Sequence, residues 1–185
     1  MKKNYDFKHL EKNISDMIFE SLIKIGYIEE QRISVYYDEG LLCYLLGIKD
    51  MAKENWRICL ASFKEYVSPR LSDLEIKRQG DRFEFSVSGD GVRYIYEHNH
   101  SRSFLKSLVE VLQDRNCVLE DILPIFEEVS SDVITEVIRH SEFQYVIYFV
   151  DKSIDEFKYC FTFDEMGHYY HRLLDYDFEK VVYCK

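Results

Sequence analysis

Apolar residues recur at intervals of three and four through Phe7, Leu10, Ile14, Met17, Ile18, Leu22 and Ile25. That spacing predicts one helix with a single buried stripe, closed at Gly26 by a left-handed cap. A short β-prone run, 33–37, follows. Asp38 or Glu39 then opens a compact helix through Leu41, Leu42, Leu45 and Leu46 that ends at Gly47. Residues 51–67 predict a third helix with Trp56, Cys59, Leu60 and Phe63 inside, and Ser68-Pro69 ends it because proline disfavours helical geometry in the residue before it. Beyond it the period changes from 3.6 to 2. Leu74 and Ile76 alternate with Glu75 and Lys77, Phe83, Phe85 and Val87 alternate with Glu84 and Ser86, and Gln79-Gly80-Asp81 lies between, as in a hairpin with one apolar face. Val92, Ile95 and Tyr96 then predict a short helix capped by Ser88 or Asp90.

The order helix, strand, helix, helix, hairpin, helix over residues 5–98 resembles the winged-helix arrangement, with 74–87 as the wing. The second half opens on another amphipathic helix through Phe104, Leu105, Leu108, Val109 and Leu112. A further helix capped by Asp121 would hold Pro124 in its first turn, whereas a start near Val118 would place that proline where it kinks the helix. Phe126, Val129, Val133, Ile134 and Val137 extend its apolar positions, with a break at Ser130-Ser131.

The tail is β-rich in three runs, 143–150, 157–163 and 168–174, which predict a three-stranded antiparallel meander; Asp175 caps a last helical turn with Phe178, Val181 and Val182. Tyr145, Ile147 and Phe149 fall on one face of the meander and Val146, Tyr148 and Val150 on the other. A sheet apolar on both faces needs two covers. The helices of residues 101–139 supply one; the other is expected from a partner subunit, the first half of the chain or a ligand. The fold class expected is therefore α+β, with a winged-helix-like region over 1–100 and an α+β region with the meander over 101–185. No linker separates them, so close docking as one unit is expected.

Composition supports a globular chain. Its 185 residues are 46% hydrophobic with only 7 Gly and 2 Pro, and its 15 Tyr and 13 Phe suit half-buried core edges and interfaces. The opening residues are charged and run straight into the first helix, so no secretion signal is expected, and the longest apolar run, 41–48, is too short to cross a bilayer. Cys43, Cys59, Cys117, Cys160 and Cys184 are scattered, odd in number and form no CxxC pair, which favours reduced, buried thiols in a cytoplasmic protein.

Formal net charge is −10, and it is uneven. Residues 1–100 hold 15 Lys/Arg against 17 Asp/Glu, net −2, while residues 101–185 hold 9 against 17, net −8. An acidic second half repels phosphate chains at long range. Within the first half, Lys53, Arg57 and Lys64 share one stripe of the third helix, and with Lys77, Arg78 and Arg82 of the wing they are the candidate contacts to nucleic acid. Glu54 and Glu65 interleave with them, and residues 49–82 hold eight basic against six acidic side chains, a weaker footprint than phosphate neutralisation asks for. DNA is therefore a possible partner disfavoured by charge, and a protein partner or self-association is the expected one.

Four motifs invite a chemical reading. "EHNH" offers Glu97, His98 and His100, but its spacing matches no metal signature and no second cluster completes it. "GHYYHR" sets His168 and His171 three apart, which on a strand puts them on opposite faces. "DKSIDEFKYCFT" imitates a calcium loop, but Glu156 stands where the turn needs glycine and Thr162 where a chelating glutamate belongs. Cys160 with His168 or His171 makes a nucleophile pair only by residue type. Neither a phosphate-cradling glycine loop nor a GxSxG elbow occurs. No catalytic, cofactor or metal residue is assigned, and no enzyme activity is expected. Tyr148, Tyr159, Tyr170 and His171 are the candidates for a small-molecule pocket beside the meander.

The stretches "RISVYYDEGLLCYLLG", "DGVRYIYEH", "FKYCFTF" and "YYHRLL" resemble a family of small bacterial proteins, domain of unknown function thirty-eight seventy-seven. The resemblance implies a bacterial, cytoplasmic setting and carries no activity, cofactor or catalytic residue. The reading that follows is a non-catalytic interaction or regulatory module, with a winged-helix DNA-binding regulator and a small-molecule binder or enzyme as the alternatives.

Overall fold

Short polar side chains set the helix starts. Asp6 Oδ1 accepts the His9 N–H (3.0 Å), Asp38 Oδ1 that of Leu41 (2.7 Å) and Asn55 Oδ1 that of Ile58 (3.3 Å), each satisfying a donor that the first helical turn leaves open. In the computed structural model, which describes residues 5–26, 31–49, 55–99, 103–139, 141–164 and 167–183, these caps open α1 (Phe7–Ile25), α2 (Glu39–Leu46) and α3 (Trp56–Val67). Gly47, at φ 66° and ψ 28°, closes α2 in the left-handed region. Gly26 also has positive φ, but its ψ of 150° takes the chain away from α1 extended, not into the left-handed helical cap expected.

The chain divides into two units, Met1–Ser101 and Arg102–Lys185. In the first, β1 (Ile33–Asp38), β2 (Glu75–Gln79) and β3 (Arg82–Val87) form an antiparallel sheet in the order β1-β3-β2. With α1, α2 and α3 before the hairpin and α4 (Gly89–His98) after it, the element order is winged-helix-like. Gln79 pairs with Arg82 across a two-residue loop whose first residue, Gly80, has φ 64°, as primed hairpin turns require.

Register sorts the side chains. Val35, Phe85 and Ile76 stand side by side on one face, as do Tyr37, Phe83 and Arg78. On that face Val35, Tyr37, Phe83 and Phe85 are buried, and so are Leu10, Ile14 and Ile18 of α1 and Phe63 of α3. Phe63 meets Phe85 edge-on at 6.1 Å, and Phe85 meets Tyr37 at 5.3 Å. The buried Tyr37 hydroxyl donates to Asn13 Oδ1 of α1 (2.8 Å). The other face is polar: Ser34 Oγ donates to Glu84 Oε1 (2.8 Å) and lies 2.7 Å from Ser86 Oγ.

The second unit holds α5 (Ser103–Val111), α6 (Leu119–Glu127), α7 (Asp175–Tyr183) and a four-stranded antiparallel sheet in the order β4-β5-β6-β7. Its strands are β4 (Val133–Val137), β5 (Tyr145–Phe149), β6 (Lys158–Asp164) and β7 (Gly167–Leu173). β5, β6 and β7 are the expected meander. β4 is an addition, built from residues the apolar spacing assigns to a helix. α6 starts after Val118, whose N–H donates to Asp121 Oδ2 (3.0 Å), so Pro124 lies inside the helix rather than in its first turn.

Both covers of the sheet come from this unit. On the Ile147–Phe149 face, Phe104 of α5 and Phe126 of α6 pack edge-on to Tyr159 at 5.7 and 5.1 Å. On the Val146 face, α7 brings Phe178 and Val182 into a buried cluster with Ile138, Phe143, Val146 and Cys160. The second cover, expected from a partner, the first half or a ligand, is thus the last helix of the chain. No helix among the described residues is long and apolar enough to cross a membrane.

Candidate functional site

α3 and the hairpin enclose an open groove of about 420 Å³. Trp56, Leu60 and Ala61 of α3 with Ile76 of β2 and Phe83 of β3 make its floor, and Arg57, Lys64 and Arg78 stand at its rim. Helical spacing explains the first set: Trp56 and Leu60, four residues apart, share the flank turned to the hairpin, while Arg57 and Lys64, seven apart, share the outward stripe. The Trp56 and Phe83 rings lie 5.4 Å apart, tilted by 47°. Arg78 reaches the rim because its register partner is Phe83; its guanidinium sits 5.3 Å from that ring.

The three cations are not equivalent. Arg78 Nη2 donates to Glu39 Oε1 of α2 (2.8 Å), and its Nε donates to the Gly80 carbonyl (3.2 Å), so its charge is matched. Arg57 and Lys64 are exposed and make no ion pair among the described residues. The lining holds no carboxylate, thiol, imidazole or hydroxyl, so its chemistry is apolar contact plus positive charge.

Of the six residues proposed to contact nucleic acid, Arg57, Lys64 and Arg78 meet at this groove. Lys77 and Arg82 do not: register places both on the opposite face of the sheet, beside Glu84 and Gln79. Lys77 Nζ lies 2.9 Å from Glu75 Oε2, which Arg32 also engages (3.0 Å). Those cations hold the Glu75 carboxyl at about 2. Lys53 lies outside the described residues. The wing and α3 therefore do not present the six cations as one face.

The four pocket candidates separate as well. Tyr159 and Tyr170 share the α5/α6 face, ring centroids 6.4 Å apart, and Tyr159 is fully buried. Tyr148 and His171 lie on the α7 face, where the Tyr148 hydroxyl donates to Glu136 (2.7 Å) and His171 packs 5.5 Å from Phe143. Tyr159 donates its hydroxyl to Asp155 Oδ2 (3.1 Å), and that carboxylate faces the buried Arg172 guanidinium at 3.9 Å. This polar group ties β6 to β7 inside the core.

His168 and His171 fall on opposite faces of β7, as strand alternation expects; His168 Nε2 lies 2.6 Å from the Leu112 carbonyl beyond α5. Among the described residues no three or more His, Cys, Asp or Glu side chains come together in a group able to hold a metal ion; His100 lies outside those residues. Cys43, Cys59, Cys117 and Cys160 are buried. Burial pushes the Cys160 thiol up to about 12, which leaves it protonated and unreactive.

Sequence spacing located the rim of the groove but not its floor. Trp56 was expected inside the core; it is half-buried, with its ring against Phe83 at the opening. The available signal was Ile76 and Phe83 on the hairpin face turned to α3.

No curated protein and no solved structure matches the chain. A family model matches residues 7–182, nearly its full length, and the chain belongs to that family, described as a domain of unknown function from an E. rectale gene (DUF3877).

Proposed function

We propose that the chain is a non-catalytic cytoplasmic module that binds an acidic, apolar-rich segment of a partner protein in the groove between α3 and the hairpin. One observation carries this reading: Arg57 and Lys64 stand without acidic partners among the described residues, beside an open floor of Trp56, Leu60, Ile76 and Phe83, while neighbouring Arg78 is neutralised by Glu39. An aromatic or aliphatic side chain of the partner fills the floor, and flanking carboxylates meet the two cations; such aromatic and arginine positions are where binding energy concentrates. Duplex DNA fits less well, because Lys77 and Arg82 face away and Glu65 shares the helix.

Trp56 is the only tryptophan, so its emission reports the groove directly. Peptides selected from a random phage-displayed library should carry carboxylates next to aromatic or branched residues and should shift Trp56 emission on titration. The double variant Arg57→Glu, Lys64→Glu should weaken their binding at least tenfold, the loss of two charge-assisted contacts. A Trp56 response to random duplex DNA with none to selected peptides would overturn this reading in favour of a DNA-binding regulator.

A further inference from the structure

We infer that the free edge of β4 is the contact between two copies of this chain, paired antiparallel about a two-fold axis at Thr135. β4 is the outer strand of its sheet. Its inward hydrogen bonds are fixed by two contacts at its ends: the Val150 N–H donates to the Asp132 carbonyl (3.1 Å) and the Ile138 N–H to the Gln144 carbonyl (2.8 Å). Alternation along the strand then turns Ile134 and Glu136 toward β5 and leaves the main-chain groups of Val133, Thr135 and Val137 pointing outward. Among the described residues those outward groups have no partner.

The edge lacks the usual protection. The corresponding edge of the first sheet, β2, carries Lys77 and Arg78, charges that keep strands from adding. β4 reads Val-Ile-Thr-Glu-Val, and Val137 is 69% exposed. No lysine or proline interrupts it.

A second copy is the occupant that fits, because the strand is complementary to its own reverse. With Thr135 on the axis, Val133 of one copy lies opposite Val137 of the other and Ile134 lies opposite Glu136. No charge then faces its own copy, and Val133, Thr135 and Val137 exchange their outward hydrogen bonds in register. The flanks agree. Asp132 precedes the strand and Arg139 follows it; both are exposed and neither makes an ion pair among the described residues. Antiparallel pairing sets each Asp132 near the other copy's Arg139, twice over, whereas parallel pairing would set like charges together. The two four-stranded sheets join into one continuous sheet.

Sedimentation velocity on the full chain should show a concentration-dependent dimer. Thr135→Pro removes one outward N–H and spares the bonds that Ile134 and Glu136 make to β5, so it should sediment as a monomer with an unchanged circular dichroism spectrum. Charge variants keep the test decisive if that proline disturbs the strand. At physiological ionic strength, where repulsion between the acidic second halves is screened, Asp132→Arg alone and Arg139→Asp alone each turn two attractions into repulsions and should weaken the dimer roughly tenfold. An equimolar mixture of the two restores both attractions and should dimerise again. A wild-type chain that stays monomeric, a folded Thr135→Pro chain that dimerises fully, or a mixture no tighter than its components would overturn the assignment.

Discussion

Gly91 is the third residue of α4, where alanine ordinarily stabilises a helix by up to about 1 kcal/mol over glycine. Here the sign reverses. A Cβ at Gly91 would lie 2.3 Å from Asp73 Oδ1 and 2.7 Å from Val87 Cγ1. The Val87 side chain is fully buried and has nowhere to move. The Asp73 carboxylate, from the turn before β2, accepts the Ser88 N–H (2.8 Å) and so caps α4 in place of the Ser88 hydroxyl, which makes no capping bond. If Asp73 swings aside, the cap is lost, at a cost of about 0.5–2 kcal/mol, and in either position the clash with Val87 remains, at about 1–3 kcal/mol. The combined cost outweighs the propensity gain, so Gly91→Ala should destabilise the chain by about 1–2 kcal/mol in urea denaturation. A stabilised Gly91→Ala would mean that Asp73 does not sit over this helix start. Spacing alone points to Ser88 or Asp90 as the cap; an acceptor fifteen positions upstream has no local signature.

At the scale of elements, α7 decides how the second sheet is closed. Phe178 is buried with Val146, Cys160 and Val182, and the Lys158 ammonium stands 4.1 Å from the centre of its ring. Truncating such a phenylalanine removes both its transfer energy and the packing around the vacated space, about 3–5 kcal/mol. Phe178→Ala should lower stability by about that amount and expose the Val146 face to a hydrophobic dye; a loss below about 1 kcal/mol would show that α7 is not the cover. The helix itself was legible from Asp175 and the spacing of Phe178, Val181 and Val182, but its role was not, because a period says which face is apolar and not what it meets. β4 illustrates the opposite failure. Val129, Val133, Ile134 and Val137 satisfy a helical period, yet three of the five residues of 133–137 are β-branched valine or isoleucine with a fourth, Thr135. The main-chain groups of β5 settle the ambiguity, since Phe149 through Tyr145 need a partner and Val133 through Val137 provide it. Hairpin 75–87 was legible in full because its alternation, its Gly80 turn and its apolar face agree.

Over the whole molecule, charge separates the two proposed associations. The groove acts through Arg57 and Lys64, so binding of an acidic peptide should weaken as salt shortens the Debye length from about 20 Å toward 6 Å. Edge pairing brings together two copies whose second halves each carry −8. Coulomb repulsion between such charges at about 30 Å is on the order of a few kcal/mol at low salt and nearly vanishes once screened. The two exposed Asp132–Arg139 pairs contribute about 0.2–1 kcal/mol each and are screened over the same range. Repulsion is the larger quantity, so the dimer should tighten as salt rises while the peptide loosens. A salt titration followed by Trp56 emission for the peptide and by sedimentation for the dimer measures both in one preparation. If both weakened together, one electrostatic surface would serve both partners and the separate assignments to α3 and β4 would fail. If the dimer tightened while the peptide was released, the acidic second half would emerge as a brake on self-association, relieved by ionic strength rather than by any change at the groove.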